Sequence, residues 1–233
     1  KARKSSGTKA VVLRINSPGG SALSSELILR EIELTKKELP VVVSMGDMAA
    51  SGGYYLACKA DRIFALPTTI TGSIGVFGVL PNLNKLAGNI GINAEQVSTN
   101  KGASYSVFEP MTDAFRQVTK EGVEQVYTTF LEHVAEGRGL SIEEVDMVAQ
   151  GRVWSGSDAL KNGLVDELGD LEDAIMYAAE LAELDDFRIR NYPSYKKSIE
   201  DLLTGGFPFA KTKEKILIEE LGYDNYKIYE SIN

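Results

Sequence analysis

The chain has 233 residues, of which 43% are hydrophobic and 25% are charged, which is an ordinary globular composition. This apolar content is enough for a full core without a metal, and the lone Cys58 excludes an internal disulfide and any multi-cysteine metal site. The formal net charge of −8 argues against a phosphate-binding surface, so nucleic acid is not an expected partner. Neither a cofactor nor a metal is predicted.

Targeting signals are not visible in the sequence. No window approaches the roughly 18 uninterrupted apolar residues of a membrane span. The chain opens at Lys1, without an initiator Met, and runs almost directly into an apolar strand. We therefore interpret it as a fragment from which upstream targeting segments are missing.

The first third of the chain alternates short apolar runs with helical patterns. Its predicted elements are a strand at 10–15, a helix around 27–34, a strand at 41–45, a glycine-rich turn at 46–53, a helix at 54–58 and a strand at 62–66. Such alternation predicts an α/β fold made of βαβ units around a largely parallel sheet.

The rest of the chain is richer in helix. Its predicted elements are bent, glycine-punctuated strands or loops at 71–79, a helix at 82–89, a strand at 94–99, a polar loop at 100–110, and helices at 112–137, 141–149, 157–161 and 171–184. We expect a core at 1–184 and a C-terminal extension at 185–233. Because the extension is rich in tyrosine and phenylalanine, we predict that it packs on a neighbouring subunit or half-molecule.

The candidate nucleophile is Ser51, which lies among alanines and glycines where a helix begins. These small neighbours leave its hydroxyl accessible, and a helix N-terminus favours developing negative charge. The turn after the first strand contains Gly19 and Gly20, which can aim backbone N–H groups at an adjacent site. With Gly52 at the helix start, these glycines are candidates for an oxyanion hole. Two tight connections without function remain the alternative, because glycine-rich turns are common.

A serine nucleophile needs a base, and the choice is between one histidine and several lysines. His133 falls off the apolar stripe of its predicted helix, so we expect a surface histidine without a catalytic role. Lys101 follows a predicted strand and has small neighbours, which makes it the candidate base. The alternative for Lys101, as for any lysine, is a solvated side chain.

Four blocks of the sequence resemble the bacterial signal peptide peptidase A family. They are VLRINSPGG at 12–20, GDMAASGGYY at 46–55, TGSIG at 71–75, and the pair GRVWSG at 151–156 with NGLVDELG at 162–169. The resemblance covers about residues 8 to 184, with all blocks in order. It implies a Clp-protease/crotonase-like spiral of βαβ units carrying an additional C-terminal tail.

The resemblance also implies a function and a set of site residues. Members of this family are serine peptidases with a Ser/Lys dyad, which cleave remnant signal peptides after their release from secreted precursors. The implied nucleophile is Ser51, the implied oxyanion donors are Gly19 and Gly20, and Ser73 is implied to hold the lysine. The implied location is the bacterial cytoplasmic membrane, with an upstream anchor and the catalytic domain on the extracytoplasmic side.

The resemblance leaves the origin of the lysine open. The family has a single-unit form and a tandem form in which the serine lies in the C-terminal half and the lysine in the N-terminal half. This chain resembles a tandem-form C-terminal half, which implies a homologous N-terminal half as partner and a homo-oligomer, a tetramer if tandem. Lys101 nevertheless falls close to the position of a single-unit lysine. Two other functions remain alternatives, namely a crotonase-type acyl-CoA enzyme and a non-catalytic, protease-like assembly module.

Overall fold

The computed structural model describes residues 2–95, 97, 99 and 105–193. Contacts divide the chain into two units, Lys1–Phe187 and Arg188–Asn233. The second unit is described only over residues 188–193. The expected C-terminal extension at 185–233 therefore lies almost wholly outside the described residues and stays a prediction.

The first unit is a mixed α/β structure with one six-stranded sheet. Its elements in chain order are β1 Val11–Ser17, α1 Ala22–Lys36, β2 Val41–Ala50, α2 Gly52–Ala57, β3 Arg62–Ala65, β4 Ile70–Gly72, α3 Asn84–Asn89, α4 Asp113–Arg138, α5 Ile142–Val148, β5 Val153–Ser155, α6 Gly156–Lys161, β6 Glu167–Leu168 and α7 Leu171–Leu181. The predicted α/β class and the alternation of strands and helices are confirmed.

Strand β2 is the centre of the sheet, because it pairs with three other strands. On one side β2 pairs in parallel with β1, and on the other side it pairs in parallel first with β3 and then with β4. Strand β6 adds in parallel to β3, whereas β5 adds antiparallel to β4. The sheet is therefore largely parallel, as predicted, and the carboxyl ends of β1, β2 and β4 meet at one edge.

Residues 46–50 differ from the prediction, which placed them in a turn. They continue β2 up to Ala50, so that the strand ends directly at Ser51. The continuation follows a register shift in the β1–β2 pairing, where Asn16 Oδ1 accepts a hydrogen bond from the Met48 backbone N–H at 3.1 Å. Asn16 also packs on Gly46, since a Cβ there would lie 3.1 Å from this side chain. The glycine therefore permits a bulged strand rather than ending it.

The predicted strand at 94–99 is wrong for the residues that are described. Ala94, Glu95 and Val97 lie outside any strand and are exposed, and Val97 is 99% exposed. Strands are stabilised by pairing, and the six strands of the described sheet leave these residues unpaired. The short strands β5 and β6 were not predicted from the sequence.

The helices begin and end at chemically suitable residues. Thr112 caps α4 by accepting a hydrogen bond from the Phe115 N–H, and Gly139 ends the helix at φ 65°. Helix α5 starts with a capping box formed by Ser141 and Glu144. These signals are local in sequence, so the bounds of α4 and α5 follow the prediction within two residues. Among the described residues, no helix combines the length and apolar character that crossing a bilayer requires.

The main core lies between the sheet and helices α2, α4, α5 and α6. The strands contribute fully buried side chains such as Val43, Met45 and Ile63. Tyr54 is buried on α2, and its hydroxyl donates to the Leu164 carbonyl at 2.9 Å. A second cluster on the other face packs Val42 and Phe64 against α7. Helix α2 is thus held rigidly just after the end of β2.

Candidate active site

Ser51 occupies the sharp turn between β2 and α2. Its backbone has φ 52° and ψ −120°, a conformation that residues with a side chain rarely adopt. The Ser51 N–H donates to the Gly72 carbonyl at 2.8 Å, and the Ser51 carbonyl accepts from the Tyr55 N–H at 2.9 Å. The hydroxyl does not cap α2, although serine is a common capping residue. A partly exposed hydroxyl at a strained strand–turn–helix junction is the geometry of a nucleophile elbow.

The turn that contains Gly19 and Gly20 lies directly against Ser51. Gly19 has φ 106°, and a Cβ there would lie 2.7 Å from the Gly52 nitrogen and 2.8 Å from the Ser51 Cβ. A Cβ on Gly52 would lie 3.2 Å from the Gly20 nitrogen and 2.6 Å from the Ser25 Oγ. Neither position accepts a larger side chain without moving the other turn. The glycines therefore allow the two turns to approach closely.

The backbone N–H groups of the two turns differ in their partners. The Gly19 N–H donates to the Ser17 Oγ at 3.1 Å. For the N–H groups of Gly20 and Gly52, no acceptor is found within the described part of the chain. Free N–H groups beside a nucleophile are the chemistry that stabilises a developing oxyanion. The structure thus brings together all three predicted glycines, with Gly20 and Gly52 as the donors free to bind.

Ser73 lies at the end of the neighbouring strand β4. Ala50 pairs with Gly72, so Ser51 and Ser73 each follow directly on a paired residue of adjacent parallel strands. Ser73 has φ 50°, and its N–H donates to the Arg152 carbonyl at 2.7 Å. Trp154 packs beneath this turn, because a Cβ on Gly72 would lie 2.8 Å from its ring. The predicted Ser73 therefore belongs to the same sheet edge as Ser51.

Lys101, the candidate base, lies outside the described residues, as do its immediate neighbours. Another lysine, Lys59, follows α2 closely and is 7% exposed. Its Nζ lies 2.5 Å from a Glu136 oxygen and 2.8 Å from a Glu33 oxygen. Burial alone lowers the pKa of Lys59, but the two carboxylates outweigh it and raise the pKa. Lys59 is therefore held protonated, which is the wrong state for a general base.

The expectation that His133 is a surface histidine is wrong. Its side chain is only 19% exposed, and its Nε2 lies 3.1 Å from the Glu26 Oε2. The ring also meets the Tyr55 ring edge-on, with the centroids 5.3 Å apart. The apolar stripe of this helix placed His133 off the buried face, but the stripe did not reveal that α4 also lies against α2, where Tyr55 meets the histidine. His133 thus contacts Glu26 and Tyr55, and within the described residues no contact between His133 and Ser51 is found.

Cys58 offers no alternative nucleophile. It is fully buried, and its Sγ donates to the Tyr55 carbonyl at 3.2 Å. Burial raises the pKa of its thiol to about 12, so the reactive thiolate is not formed near neutrality. Ser51 is thus the better-placed nucleophile in this part of the fold.

Apolar side chains extend from both turns into solvent. Phe77 is 86% exposed and Val79 is 78% exposed on the segment that follows Ser73. Leu23 is 70% exposed and Leu27 is 62% exposed on α1, which follows Gly20. Ile74, by contrast, is fully buried and belongs to the core. The two segments that follow the Ser73 and Gly20 turns therefore both carry exposed apolar side chains.

A comparison of the sequence with known protein families is consistent with this arrangement of a strained serine beside a glycine turn. Residues 33–185 match the model of peptidase family S49, and the chain belongs to that family. The resemblance noted in the sequence is thereby confirmed.

Several curated proteins are similar to the chain. It is 48% identical over 182 residues to Protease 4 of Haemophilus influenzae, an alignment that covers 78% of this chain and 30% of that protein. It is 41% identical over 184 residues to a chloroplastic serine protease SPPA of Arabidopsis thaliana, covering 78% and 27%. It is 34% identical over 196 residues to a putative signal peptide peptidase SppA of Enterococcus faecium, covering 82% and 56%. The chain thus spans less than two thirds of each of these relatives.

Proposed function

We propose that this chain carries the nucleophile of a serine endopeptidase, and that the nucleophile is Ser51. The observation that carries the proposal is the strained turn at φ 52°, whose hydroxyl caps no helix and lies against a glycine turn. Membership of peptidase family S49 supports the same reaction. Strain of this kind persists where the surrounding structure enforces it, and it is common at catalytic residues.

The proposed reaction is acyl transfer in two steps. The Ser51 Oγ attacks the carbonyl carbon of the scissile peptide bond while a neutral lysine takes the hydroxyl proton. The N–H groups of Gly20 and Gly52 bind the oxyanion, with Gly19 shaping their turn. The lysine then returns the proton to the leaving amine, and water hydrolyses the acyl-enzyme. Loss of one oxyanion donor typically costs about 3 kcal/mol in the transition state.

We propose Lys101 as the base, with Ser73 orienting its amine. A lysine that works near neutrality needs its pKa lowered by about three units, or ~4 kcal/mol, and burial at a contact supplies such a shift. A lysine on a homologous N-terminal half is the alternative source. This alternative is supported by the alignment with Protease 4 of Haemophilus influenzae, because this chain aligns with only 30% of the length of that protein.

The proposed substrates are apolar peptides, and in particular remnant signal peptides. Exposed Phe77 and Val79 on the segment after Ser73, and exposed Leu23 and Leu27 on α1 after Gly20, support binding of apolar side chains. The name of the Enterococcus faecium relative, a putative signal peptide peptidase, supports the same substrate class. We further propose a site of action at the bacterial cytoplasmic membrane, on its extracytoplasmic side and through an upstream anchor.

The proposed architecture is a Clp-protease/crotonase-like spiral at 1–184, followed by the extension at 185–233. The parallel β1–β2–β3 pairings with intervening helices support a spiral of βαβ units. We propose that the extension contacts a neighbouring subunit or half within a homo-oligomer. A tandem protein would then assemble as a tetramer.

A serine-directed fluorophosphonate probe, followed by mass spectrometry of the full-length protein, tests the nucleophile. We expect one probe per chain, carried by Ser51, and no labelling or peptide hydrolysis in Ser51→Ala. Ser141→Ala is the matched control, since it removes a helix cap, at a cost of about 1 kcal/mol, in a different element. Full turnover in Ser51→Ala would refute the proposal. Acyl-CoA binding without labelling would favour the crotonase alternative, and neither activity would favour the assembly module.

A further inference from the structure

Glu26 joins three helices at one point behind the nucleophile. It lies on α1, and its Oε2 accepts a hydrogen bond from the Tyr55 hydroxyl of α2 at 2.5 Å. The same oxygen lies 3.1 Å from the Nε2 of His133 on α4. The catalytic steps described above use none of these three side chains.

Tyr55 is bonded to the nucleophile residue itself. Its backbone N–H donates to the Ser51 carbonyl at 2.9 Å, which is the first hydrogen bond of α2. Its ring is 5% exposed and packs against Phe130 at a centroid distance of 4.7 Å. Burial, and then the bond to Glu26, raise the pKa of the Tyr55 hydroxyl, so it stays a donor. A displacement of Tyr55 therefore moves the Ser51 backbone.

Glu26 is also connected to the proposed oxyanion turn, through its own helix. Helix α1 begins at Ala22, directly after the turn that contains Gly20. Ser25, which precedes Glu26, packs on Gly52, because a Cβ on that glycine would lie 2.6 Å from the Ser25 Oγ. The contact between α1 and α2 thus sets the separation between the glycine turn and Ser51.

We propose that Glu26 is a positioning residue that holds Ser51 against the glycine turn through Tyr55. His133 supports the same Glu26 oxygen at 3.1 Å, which helps to hold the carboxylate beside the tyrosine. This inference rests on the proposed function, since it takes Ser51 as the nucleophile. Glu26 is not a catalytic residue in this scheme, because it acts only through Tyr55.

Steady-state hydrolysis of an apolar fluorogenic peptide by the full-length protein tests the role. Rates are normalised to the number of sites that a fluorophosphonate labels. Because small misplacements of a nucleophile slow the chemistry strongly, we expect Glu26→Ala to lower kcat by about tenfold with KM within about twofold. Glu26→Gln keeps an acceptor for Tyr55 and should retain kcat within about threefold. Glu31→Ala, on the exposed face of the same helix, is the matched control and should match the wild type.

Tyr55→Phe removes one oxygen and keeps the ring in its packing. We expect it to lower kcat as much as Glu26→Ala does, and the double variant to be no slower than either single variant, since both act through one bond. His133→Ala should lower kcat by less than about threefold, as expected for loss of one support. A kcat within twofold of wild type in Tyr55→Phe would overturn the proposal, as would losses that multiply in the double variant.

Ser51→Ala, measured in parallel, separates the two hypotheses. If Ser51→Ala keeps its turnover, the nucleophile assignment fails, and the positioning role fails with it. If Ser51→Ala is inactive while Glu26→Ala and Tyr55→Phe match the wild type, only the positioning role is overturned.

Discussion

At the scale of single residues, the main feature is the strained backbone of Ser51. A residue with a side chain at φ 52° costs about 1–3 kcal/mol, and neighbouring contacts must enforce it. Two backbone hydrogen bonds do so here, one to the Gly72 carbonyl and one from the Tyr55 N–H. In this conformation the hydroxyl makes no capping hydrogen bond to α2.

This strain predicts the relative stability of two variants at position 51. Glycine adopts a positive φ without a Cβ penalty, whereas alanine retains the penalty. We expect Ser51→Gly to have a free energy of unfolding about 1 kcal/mol higher than Ser51→Ala, although both lack activity. The free energies of unfolding are measured by urea denaturation, and the two variants can be compared directly if their m-values are equal.

The matched control is the same pair of substitutions at Ser24, which is exposed on helix α1. There the order should reverse, because glycine is less favourable than alanine by about 0.8–1 kcal/mol in a helix interior and by less in the first turn, where Ser24 lies. Finding alanine the more stable residue at both positions would show that Ser51 is not strained.

The residues of the site were predicted unevenly from the sequence. Ser51, Gly19, Gly20, Gly52 and Ser73 were identified as candidates by turn chemistry and by resemblance, since small residues at strand ends leave a local signal. The contacts of Glu26 with Tyr55 and His133 were missed. They depend on how three helices pack, and a helical stripe in one segment does not identify its partner.

At the scale of elements, α4 illustrates how one glycine sets a helix contact. A Cβ on Gly137 would lie 2.2 Å from the Cys58 carbonyl oxygen and 3.0 Å from the Lys59 Cα. The helix therefore touches the backbone at the end of α2. Lys59 reinforces the contact, since it pairs with Glu136 of α4 and Glu33 of α1.

Two glycine substitutions in α4 should have opposite effects on stability. Gly137→Ala forces α4 away from Cys58, and overpacking of this kind costs about 1–3 kcal/mol. Gly122→Ala, on the same helix with open space around it, should increase the free energy of unfolding by about 0.5–1 kcal/mol. Thermal unfolding monitored by circular dichroism distinguishes the two. Stabilisation by Gly137→Ala would contradict the close contact.

The accuracy of element prediction followed the range of the interactions that form each element. Helices α4, α5 and α7 carry their capping residues in sequence, so their starts could be located. Strands β5 and β6 have three and two residues and exist only because they pair with β4 and β3. The extension of β2 to Ala50 likewise depends on Asn16 of another strand. Local patterns contain no information on such pairings.

At the scale of the whole molecule, the parallel pairing of β1, β2 and β4 gathers the site. Chain segments that are distant in sequence end at one edge, which brings the turn with Gly19, the proposed nucleophile Ser51 and the turn with Ser73 together. The described residues thus contain a candidate nucleophile and two candidate N–H donors, and Lys59, the buried lysine near α2, is held protonated. The base is therefore the component that most needs an experiment.

The source of the base can be decided with lysine variants of the full-length protein. If Lys101 is the base, its amine must reach hydrogen-bond distance of the Ser51 Oγ, about 2.6–3.2 Å, in the assembled enzyme. We then expect Lys101→Met to abolish peptide hydrolysis while the mass of the oligomer, measured by light scattering, stays unchanged. Lys85→Met is the matched control, because Lys85 is an exposed lysine on α3, and it should keep the wild-type rate. If a neighbouring subunit donates Lys101, mixing Ser51→Ala with Lys101→Met subunits should restore part of the activity, since some contacts then combine an intact serine with an intact lysine. Wild-type rates in Lys101→Met would remove this residue from the site and favour a lysine on a homologous half.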